Sequence, residues 1–233
     1  MRSANLAAVF LTLGWLPVAA AAPPDVKYLY PAGATRGTTV EVVAGGNAGD
    51  GPAQAWVSRS GMHVAPVADK KGTFSIAVSP DAPPGLYWVR IHNAEGAAAP
   101  VPFVVDTLPN VNEQEPNDTV AKAQSITTPG CTVNGRLEKR GDVDVFAVSL
   151  KQNQTLVAAV TANGTLGSPM DSVLQVVMPR GSVLDQNDDE RGLDSLLAFE
   201  APADGTYLVR IFAFPAAPMP RFRSRVARHS FID

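Results

Sequence analysis

Oxygen-bearing side chains cluster near the middle of this sequence of 233 residues. Four of them stand within six positions: Glu113, Glu115, Asn117 and Asp118. Two more, Asp142 and Asp144, are spaced i and i+2 at the start of a segment that alternates like a β-strand. Ca²⁺ takes about six to eight oxygen ligands from carboxylates, amides and carbonyls, so these six residues are candidate calcium ligands.

The acidic segment also has a simpler interpretation as a solvated linker. Pro116 stiffens it, and either Asp118 or Thr119 could cap the short helical turn predicted at residues 119–125. The residue types alone favour neither interpretation.

Other kinds of functional site find little support. The single cysteine, Cys131, excludes an internal disulfide, and with three scattered histidines it leaves no zinc cluster at ligand spacing. The sequence has no Gly-x-Ser-x-Gly nucleophile motif and no His-Glu-x-x-His motif. The glycine-rich segment 45–51 lacks the lysine of a phosphate-binding loop and predicts a turn. We therefore predict that the chain is not an enzyme.

The elements that must position the acidic residues are β-strands. Short runs of β-branched and aromatic residues are separated by many of the 19 glycines and 20 prolines, which predicts an all-β fold. We expect two β-sandwich domains, over 25–106 and 113–215, joined by an acidic linker over 107–118. Both carry Gly-x-Tyr-x-Val-Arg-Ile, at 85–91 and 205–211, whose alternation predicts a half-buried strand with the arginine facing outward.

The N-terminus predicts export. Arg2 precedes an apolar run over 6–16, followed by small residues and two prolines, which is the three-part form of a signal peptide over 1–20. The run is shorter than the roughly 20 residues of a transmembrane helix. Removing Arg2 changes the net charge from -3 to -3 - 1 = -4, which disfavours nucleic acid and anionic membranes as partners.

The order of the motifs resembles the bacterial pre-peptidase C-terminal (PPC) domain. The likeness rests on Glu-Gln-Glu-Pro-Asn-Asp-Thr at 113–119, Gly-Asp-Val-Asp-Val-Phe at 141–146, Asp-Asp at 188–189 and Ala-Asp-Gly-Thr-Tyr-Leu-Val at 203–209. The resemblance implies a small, jelly-roll-like β-sandwich, secreted and non-catalytic, of the kind appended to extracellular peptidases. It also implies a calcium site, whose ligands match Glu113, Glu115, Asn117, Asp118, Asp142 and Asp144 here.

Two further segments bear on the domain organisation. Residues 31–40 resemble, more weakly, the Ig-like or IPT-like modules that precede such domains, which implies an Ig-like fold for the first sandwich. The PPC pattern ends near residue 215, and 221–233 carries a net charge of +4 - 1 = +3. We predict that 216–233 is an atypical basic tail, from a truncated or frameshifted reading frame or for an anionic partner. The closing strand is then missing and a sheet edge is open.

Together these features predict a secreted or cell-surface accessory, adhesion or structural module that binds calcium and contacts an extracellular protein or polysaccharide. In this hypothesis, Ca²⁺ straps the segment 113–118 onto the second sandwich and fixes the angle between the domains. Two alternatives remain open. The chain is either the front fragment of a larger secreted peptidase or hydrolase, or a carbohydrate- or protein-binding module. The latter predicts an exposed aromatic patch, for which the candidates are Trp56, Trp88, Phe212 and Phe214.

Overall fold

β-Strands make up most of the protein, as the sequence predicts. The computed structural model describes residues 22–49 and 52–214, together with the backbone of 221–229. The predicted signal peptide, 1–20, lies outside these residues. No helix in the described part is long and apolar enough to span a membrane.

A four-stranded and a five-stranded sheet form the first β-sandwich. One sheet has the order β1-β3-β6-β5 and the other β2-β9-β7-β4, with β8 paired to β7. Their strands are β1 Asp25–Tyr30, β2 Gly33–Thr35, β3 Thr39–Asn47, β4 Gln54–Val57, β5 Met62–Pro66, β6 Thr73–Val78, β7 Gly85–Asn93, β8 Gly96–Ala97 and β9 Val101–Asp106.

The core of the first sandwich follows from period-2 alternation. In β7, Tyr87, Val89 and Ile91 are buried between the sheets, while Trp88 and Arg90 face outward. Phe74 in β6 and Phe103 in β9 fill the same core. The predicted orientation of this strand is therefore confirmed.

Two five-stranded sheets form the second β-sandwich. Their orders are β10-β12-β19-β14-β17 and β11-β13-β18-β15-β16. A 3-10 turn, Val120–Lys122, and one short helix, α1 Asn163–Leu166, are the helical elements of the described residues. The strands are β10 Asn110–Asn112, β11 Gln124–Ser125, β12 Cys131–Arg136, β13 Val143–Leu150, β14 Thr155–Thr161, β15 Ser172–Val177, β16 Val183–Asn187, β17 Leu196–Glu200, β18 Gly205–Ala213 and β19 Arg221–His229.

The core of the second sandwich contains Phe146, Leu156, Met170 and Tyr207. The repeated tyrosine plays the same part in both sandwiches. The hydroxyl of Tyr87 donates to the carbonyl of Pro83 at 3.0 Å, and that of Tyr207 donates to the carbonyl of Ala203 at 2.8 Å. The shared sequence motif therefore marks equivalent strands, each anchored to the turn before it.

The prediction of a missing closing strand is wrong. Residues 221–229 form β19, which pairs antiparallel with both β12 and β14. The strand lies inside its sheet, where each neighbour uses one row of its backbone hydrogen-bonding groups. The high positive charge of this segment favoured the prediction of a basic tail, although its residues also alternate in the way that is typical of a strand.

The boundaries of the predicted linker also need correction. Asn110–Asn112 is already a strand, because β10 pairs in parallel with β12. The connection between the sandwiches is thus shorter than 107–118, and the acidic segment that follows belongs to the second sandwich.

Side chains from both sandwiches meet at the junction. Thr132 Oγ1 donates to Asp106 Oδ2 at 2.6 Å, and both residues are buried. The Arg136 guanidinium lies 5.2 Å from the centre of the Tyr30 ring. Leu166 of α1 packs with apolar residues of the first sandwich, Ala32 and Val104. The junction is therefore packed and hydrogen-bonded.

Candidate metal centre

The six predicted ligand residues converge on one pocket. Carboxylate oxygens of Glu113, Glu115 and Asp144 lie within 4.8 Å of one another, and so do those of Glu115, Asp118 and Asp142. Asn117 lies between the two groups, with its amide 3.2 Å from both Glu115 Oε2 and Asp144 Oδ1. The sequence prediction of one shared pocket thus agrees with the geometry, while the role of these residues as metal ligands stays a prediction.

Backbone pairing brings the two acidic segments together. The amide of Glu113 donates to the Asn134 carbonyl in β12 at 2.9 Å, and the amide of Val145 in β13 donates to the Asn117 carbonyl at 3.1 Å. The segment 113–118 is thus anchored at both ends. The i, i+2 spacing of Asp142 and Asp144 places their side chains on one face at the start of β13.

A glutamine that the sequence analysis missed supports this segment. Gln124 Oε1 accepts a hydrogen bond from the Gln114 amide at 2.8 Å, and Gln124 Nε2 donates to the Asn112 carbonyl at 3.0 Å. The alternative of a capped linker fails in one respect, because Thr119 at the N-cap makes no side-chain hydrogen bond to the 3-10 turn.

Several oxygens in the pocket lack a hydrogen-bond donor. They are buried and number three among the described residues: Asp118 Oδ1, Asp142 Oδ1 and Asp144 Oδ2. An unpaired buried acceptor costs about 1–3 kcal/mol, and more when it is charged. A cation among these oxygens would remove that cost.

The side-chain amide oxygen of Asn117 also lacks a hydrogen-bond donor. This oxygen faces only acceptors, whereas rotation of the amide lets the nitrogen donate to Glu115 and Asp144. The first orientation suits a bound cation, since the amide oxygen then becomes a ligand. The second suits the metal-free protein. Asn117 is fully buried, so either orientation acts within the pocket.

The electrostatics of the pocket disfavour ionised carboxylates in the absence of a cation. Burial raises the pKa of Glu113 to about 8, and the charge of Glu115 adds to the effect. Burial raises the pKa of Asp144 to about 9, and Glu113 and Asp142 raise it further. Both shifts mean that the metal-free pocket lacks the positive charge needed to keep all of its carboxyl groups ionised.

The nearest cation compensates for only part of this charge. Lys139 Nζ lies 3.4 Å from both Asp118 and Asp142, but its side chain is 65% exposed. An exposed ammonium is strongly hydrated, and its interaction with a carboxylate is weakened by solvent. A divalent ion inside the pocket would neutralise the charge far better.

The donor set fits a hard cation. It consists of carboxylate and amide oxygens, without the nitrogen or sulfur ligands that zinc and copper favour. Five carboxylates and one amide supply enough oxygens for Ca²⁺, which also accepts irregular geometry more readily than Mg²⁺. The residues present therefore fit calcium.

The pocket adjoins the first sandwich through a residue that sequence reasoning missed. Burial and the charge of Glu113 raise the pKa of Tyr30 to about 12. Its hydroxyl donates to the Asn134 carbonyl at 3.4 Å. Tyr30 precedes Glu113 by more than 80 positions, so no local pattern could connect the two.

Comparison with known proteins bears on the second sandwich. Residues 142–213 match the sequence model of the family described as the bacterial pre-peptidase C-terminal domain. The resemblance to a PPC domain is confirmed over these residues. The match includes Asp142 and Asp144 and begins after the segment 113–118. The Ig-like character of the first sandwich stays a prediction.

One curated relative aligns over most of the chain. A probable subtilase-type serine protease of Deinococcus radiodurans is 30% identical over 205 residues, which cover 80% of this chain and 28% of the relative. The chain thus spans less than a third of that relative's length.

Two solved structures are similar to about half of the chain. The pre-peptidase C-terminal domain of Bacillus anthracis collagenase is 12% identical, with a TM-score of 0.36, over 50% of this chain and 100% of that domain. Aeromonas hydrophila PliG, a periplasmic inhibitor of g-type lysozyme, is 16% identical, with a TM-score of 0.36, over 52% of this chain and 96% of the inhibitor.

Proposed function

We propose that this chain is a non-catalytic accessory module of an exported protein and that it binds one Ca²⁺ in the acidic pocket. The observation that carries the proposal is the convergence of buried oxygens without donors, from Asp118, Asp142 and Asp144, around the Asn117 amide. A calcium ion supplies positive charge to all of them at once.

In this proposal, the bound ion is a structural cross-link between two acidic segments. It joins the segment 113–118 to the start of β13, which the backbone connects through the bond from Val145 to Asn117. Because Tyr30 and Arg136 lie beside the pocket, a fixed segment also supports the junction with the first sandwich. The role of calcium is therefore structural, and no catalytic step is assigned to it.

The proposed location and the proposed affinity agree. Extracellular calcium modules bind with Kd of about 10⁻⁴ to 10⁻³ M. Such a site fills in an extracellular medium with millimolar calcium and stays largely empty inside a cell. The ion would then complete the fold after export.

Addition of calcium is expected to raise the melting temperature of the protein. At 1 mM calcium, a Kd of about 10⁻⁴ to 10⁻³ M corresponds to a stabilisation of about 0.4–1.4 kcal/mol. For a chain of this size, that is a shift of about 1–6 °C. Differential scanning calorimetry in EDTA and then in calcium measures the shift, and isothermal titration calorimetry measures the Kd.

Matched variants distinguish calcium binding in the pocket from a general electrostatic effect of calcium on the melting temperature. Asp142→Asn and Asp144→Asn are each expected to abolish the shift, whereas Asp189→Asn, an exposed acidic residue in the second sandwich, should leave it unchanged. A melting temperature indifferent to calcium in the unsubstituted protein would refute the site. Equal shifts in all three variants would assign the effect to bulk electrostatics.

A second proposal is that the chain serves as an accessory region of a larger secreted serine protease. The 30% identity to part of a subtilase-type protease supports it. Sequencing of the DNA on both sides of this coding sequence is expected to reveal a subtilase catalytic domain in the same or another frame. Flanking sequence without such a domain would contradict the proposal.

A further inference from the structure

Two exposed tryptophans mark a second surface, on the first sandwich and outside the acidic pocket. Trp56 is 51% exposed and Trp88 is 41% exposed. With Arg90 and Pro100 they line a depression of about 420 Å³ on the outer face of the sheet β2-β9-β7-β4. An exposed indole leaves a large apolar surface in contact with water. Two neighbouring exposed indoles therefore indicate a binding surface.

The register of the strands sets the spacing of these side chains. Trp56 in β4 lies directly opposite Arg90 in β7, and Trp88 precedes Arg90 by two residues on the same face. Directly opposed side chains are about 5 Å apart and diagonal ones about 7 Å apart. The two indoles therefore flank one guanidinium on a sheet that fixes their positions.

The charge of this face points to an anionic ligand. The other outward residues of β4 and β7 are neutral or weakly basic: Gln54, Leu86 and His92. Among the described residues, the Arg90 guanidinium forms no ion pair with any carboxylate on this face. The outward residues of these two strands therefore carry a positive charge in a protein whose net charge is -3.

Sugar chemistry fits this combination of groups. The C–H faces of a pyranose ring stack on an indole while the ring hydroxyls remain in water. The planar guanidinium binds a carboxylate through two parallel hydrogen bonds. An acidic sugar in a chain of pyranoses uses both features together.

A protein partner fits the dimensions less well. A stable protein interface needs about 800 Å² from each partner. Here the face is closed on one side, where Leu166 of the second sandwich packs on Val104 and Ala32. The depression is lined by four residues, Trp56, Trp88, Arg90 and Pro100, whereas each partner contributes about 20–30 residues to a standard protein interface, so it suits a ligand of a few sugar rings better.

We propose that Trp56, Trp88 and Arg90 form a binding site for an acidic polysaccharide. The site is independent of the calcium pocket, so the success or failure of one proposal leaves the other unaffected. It gives the first sandwich a function of its own, which is attachment of the module to a uronic acid polymer.

Tryptophan fluorescence provides a specific test. The chain has three tryptophans, of which Trp15 lies in the predicted signal peptide, so the processed protein carries only Trp56 and Trp88, and a Trp15→Phe variant gives the same pair in the unprocessed chain. Short oligogalacturonates, added in EDTA so that they do not gel, are expected to change the emission with saturation. Their methyl esters keep the sugar rings but lose the carboxylates. We expect their affinity to be lower by a factor of about ten or more.

Titration calorimetry on variants assigns the residues. Trp56→Ala and Trp88→Ala are each expected to weaken binding about tenfold or more, as for an aromatic residue at the centre of a binding site. Arg90→Gln should remove the preference for the acid over the ester, and Arg90→Lys should restore it in part. Val183→Ala, at an exposed apolar position in the second sandwich, is the matched control.

Each result of these binding experiments either supports the site or overturns a named part of it. All three substituted residues are exposed, so the variants should remain folded, which their melting curves check, and a loss of binding then reports on contact. Absence of a saturable change with acid and ester alike would overturn the site. Equal affinity for acid and ester would overturn the role of Arg90. Retained binding in both tryptophan variants would place the ligand elsewhere.

Discussion

In EDTA, raising the pH from about 5 to about 9 is expected to lower the melting temperature of this protein steadily. The pKa of Glu113 rises from 4.5 in a free side chain to about 8 in the pocket, and that of Asp144 rises from 3.8 to about 9. Over this pH range, the metal-free native protein therefore holds protons that the unfolded chain has released.

The sign of the effect follows from that difference in bound protons. Where the native state binds more protons than the unfolded state, the free energy of unfolding falls as the pH rises. The stability that these two groups contribute is fully present below about pH 4 and is lost as the pH passes through about 8 to 9. A bound Ca²⁺ lowers the pKa of its carboxylate ligands, so saturating calcium is expected to remove the fall.

Melting curves over this pH range, at constant ionic strength, measure both effects. Asp144→Asn removes one titrating group, so its curve in EDTA should be flatter and calcium should no longer change it. The exposed residue Asp189 provides the control variant Asp189→Asn, which should keep the full pH dependence and the full calcium effect. If EDTA and calcium give the same pH curve for the unsubstituted protein, the pocket holds no ion in this range.

Strands with clean alternation were predictable from the sequence. In β6 and β7, apolar residues at every second position face one core, so Phe74, Ile76, Tyr87 and Val89 are buried as expected. The sequence determines such strands locally, because one face must be apolar.

Strands without that pattern were missed for an identifiable reason. β12 reads Cys-Thr-Val-Asn-Gly-Arg, and polar residues in it are buried, including Thr132 and Asn134. Their hydrogen bonds lead to Asp106 and Asn110, which lie 26 and 24 positions earlier in the chain. Polar burial of this kind depends on distant partners, so local hydropathy cannot reveal it.

The candidate site was predictable in composition but not in construction. Six oxygen-bearing residues at short spacings identified the two segments. Their meeting depends on the bond from Val145 to Asn117 and on the parallel pairing of β11 with β13. The contribution of Tyr30 comes from the other sandwich and had no local signature. Residue types thus indicated the chemistry, and only the tertiary structure could show the supporting contacts.

Asp106→Ala is expected to lower the free energy of unfolding by about 2–4 kcal/mol. Asp106 ends β9 and is 1% exposed. Its Oδ1 accepts hydrogen bonds from the amides of Thr107 and Leu108, at 2.8 and 3.1 Å, and its Oδ2 accepts one from Thr132 Oγ1. Hydrogen bonds to a charged group contribute about 1.5–3 kcal/mol each, and truncation removes the acceptor of three donors, of which the Thr132 hydroxyl is buried. Urea denaturation measures the loss.

Graded variants test whether the bond between Asp106 and Thr132 joins the sandwiches. Asp106→Asn keeps an acceptor for the two amides and should cost less than Asp106→Ala, and Asp204→Ala, at an exposed position, is the control. A double-mutant cycle with Thr132→Val is expected to give a coupling of about 1.5–3 kcal/mol. A coupling below about 0.5 kcal/mol would mean that other contacts hold the junction.

Asp106→Ala also tests whether the shape of the pocket depends on the second sandwich alone or on contact between the two sandwiches. All six candidate ligands lie from the residue after β10 to the start of β13, within the second sandwich. The backbone bonds that anchor them, from Glu113 to Asn134 and from Val145 to Asn117, also lie within it. We therefore expect Asp106→Ala to retain the Kd for calcium while its stability falls. A weakened Kd would show that contact with the first sandwich, through Tyr30, helps to shape the pocket.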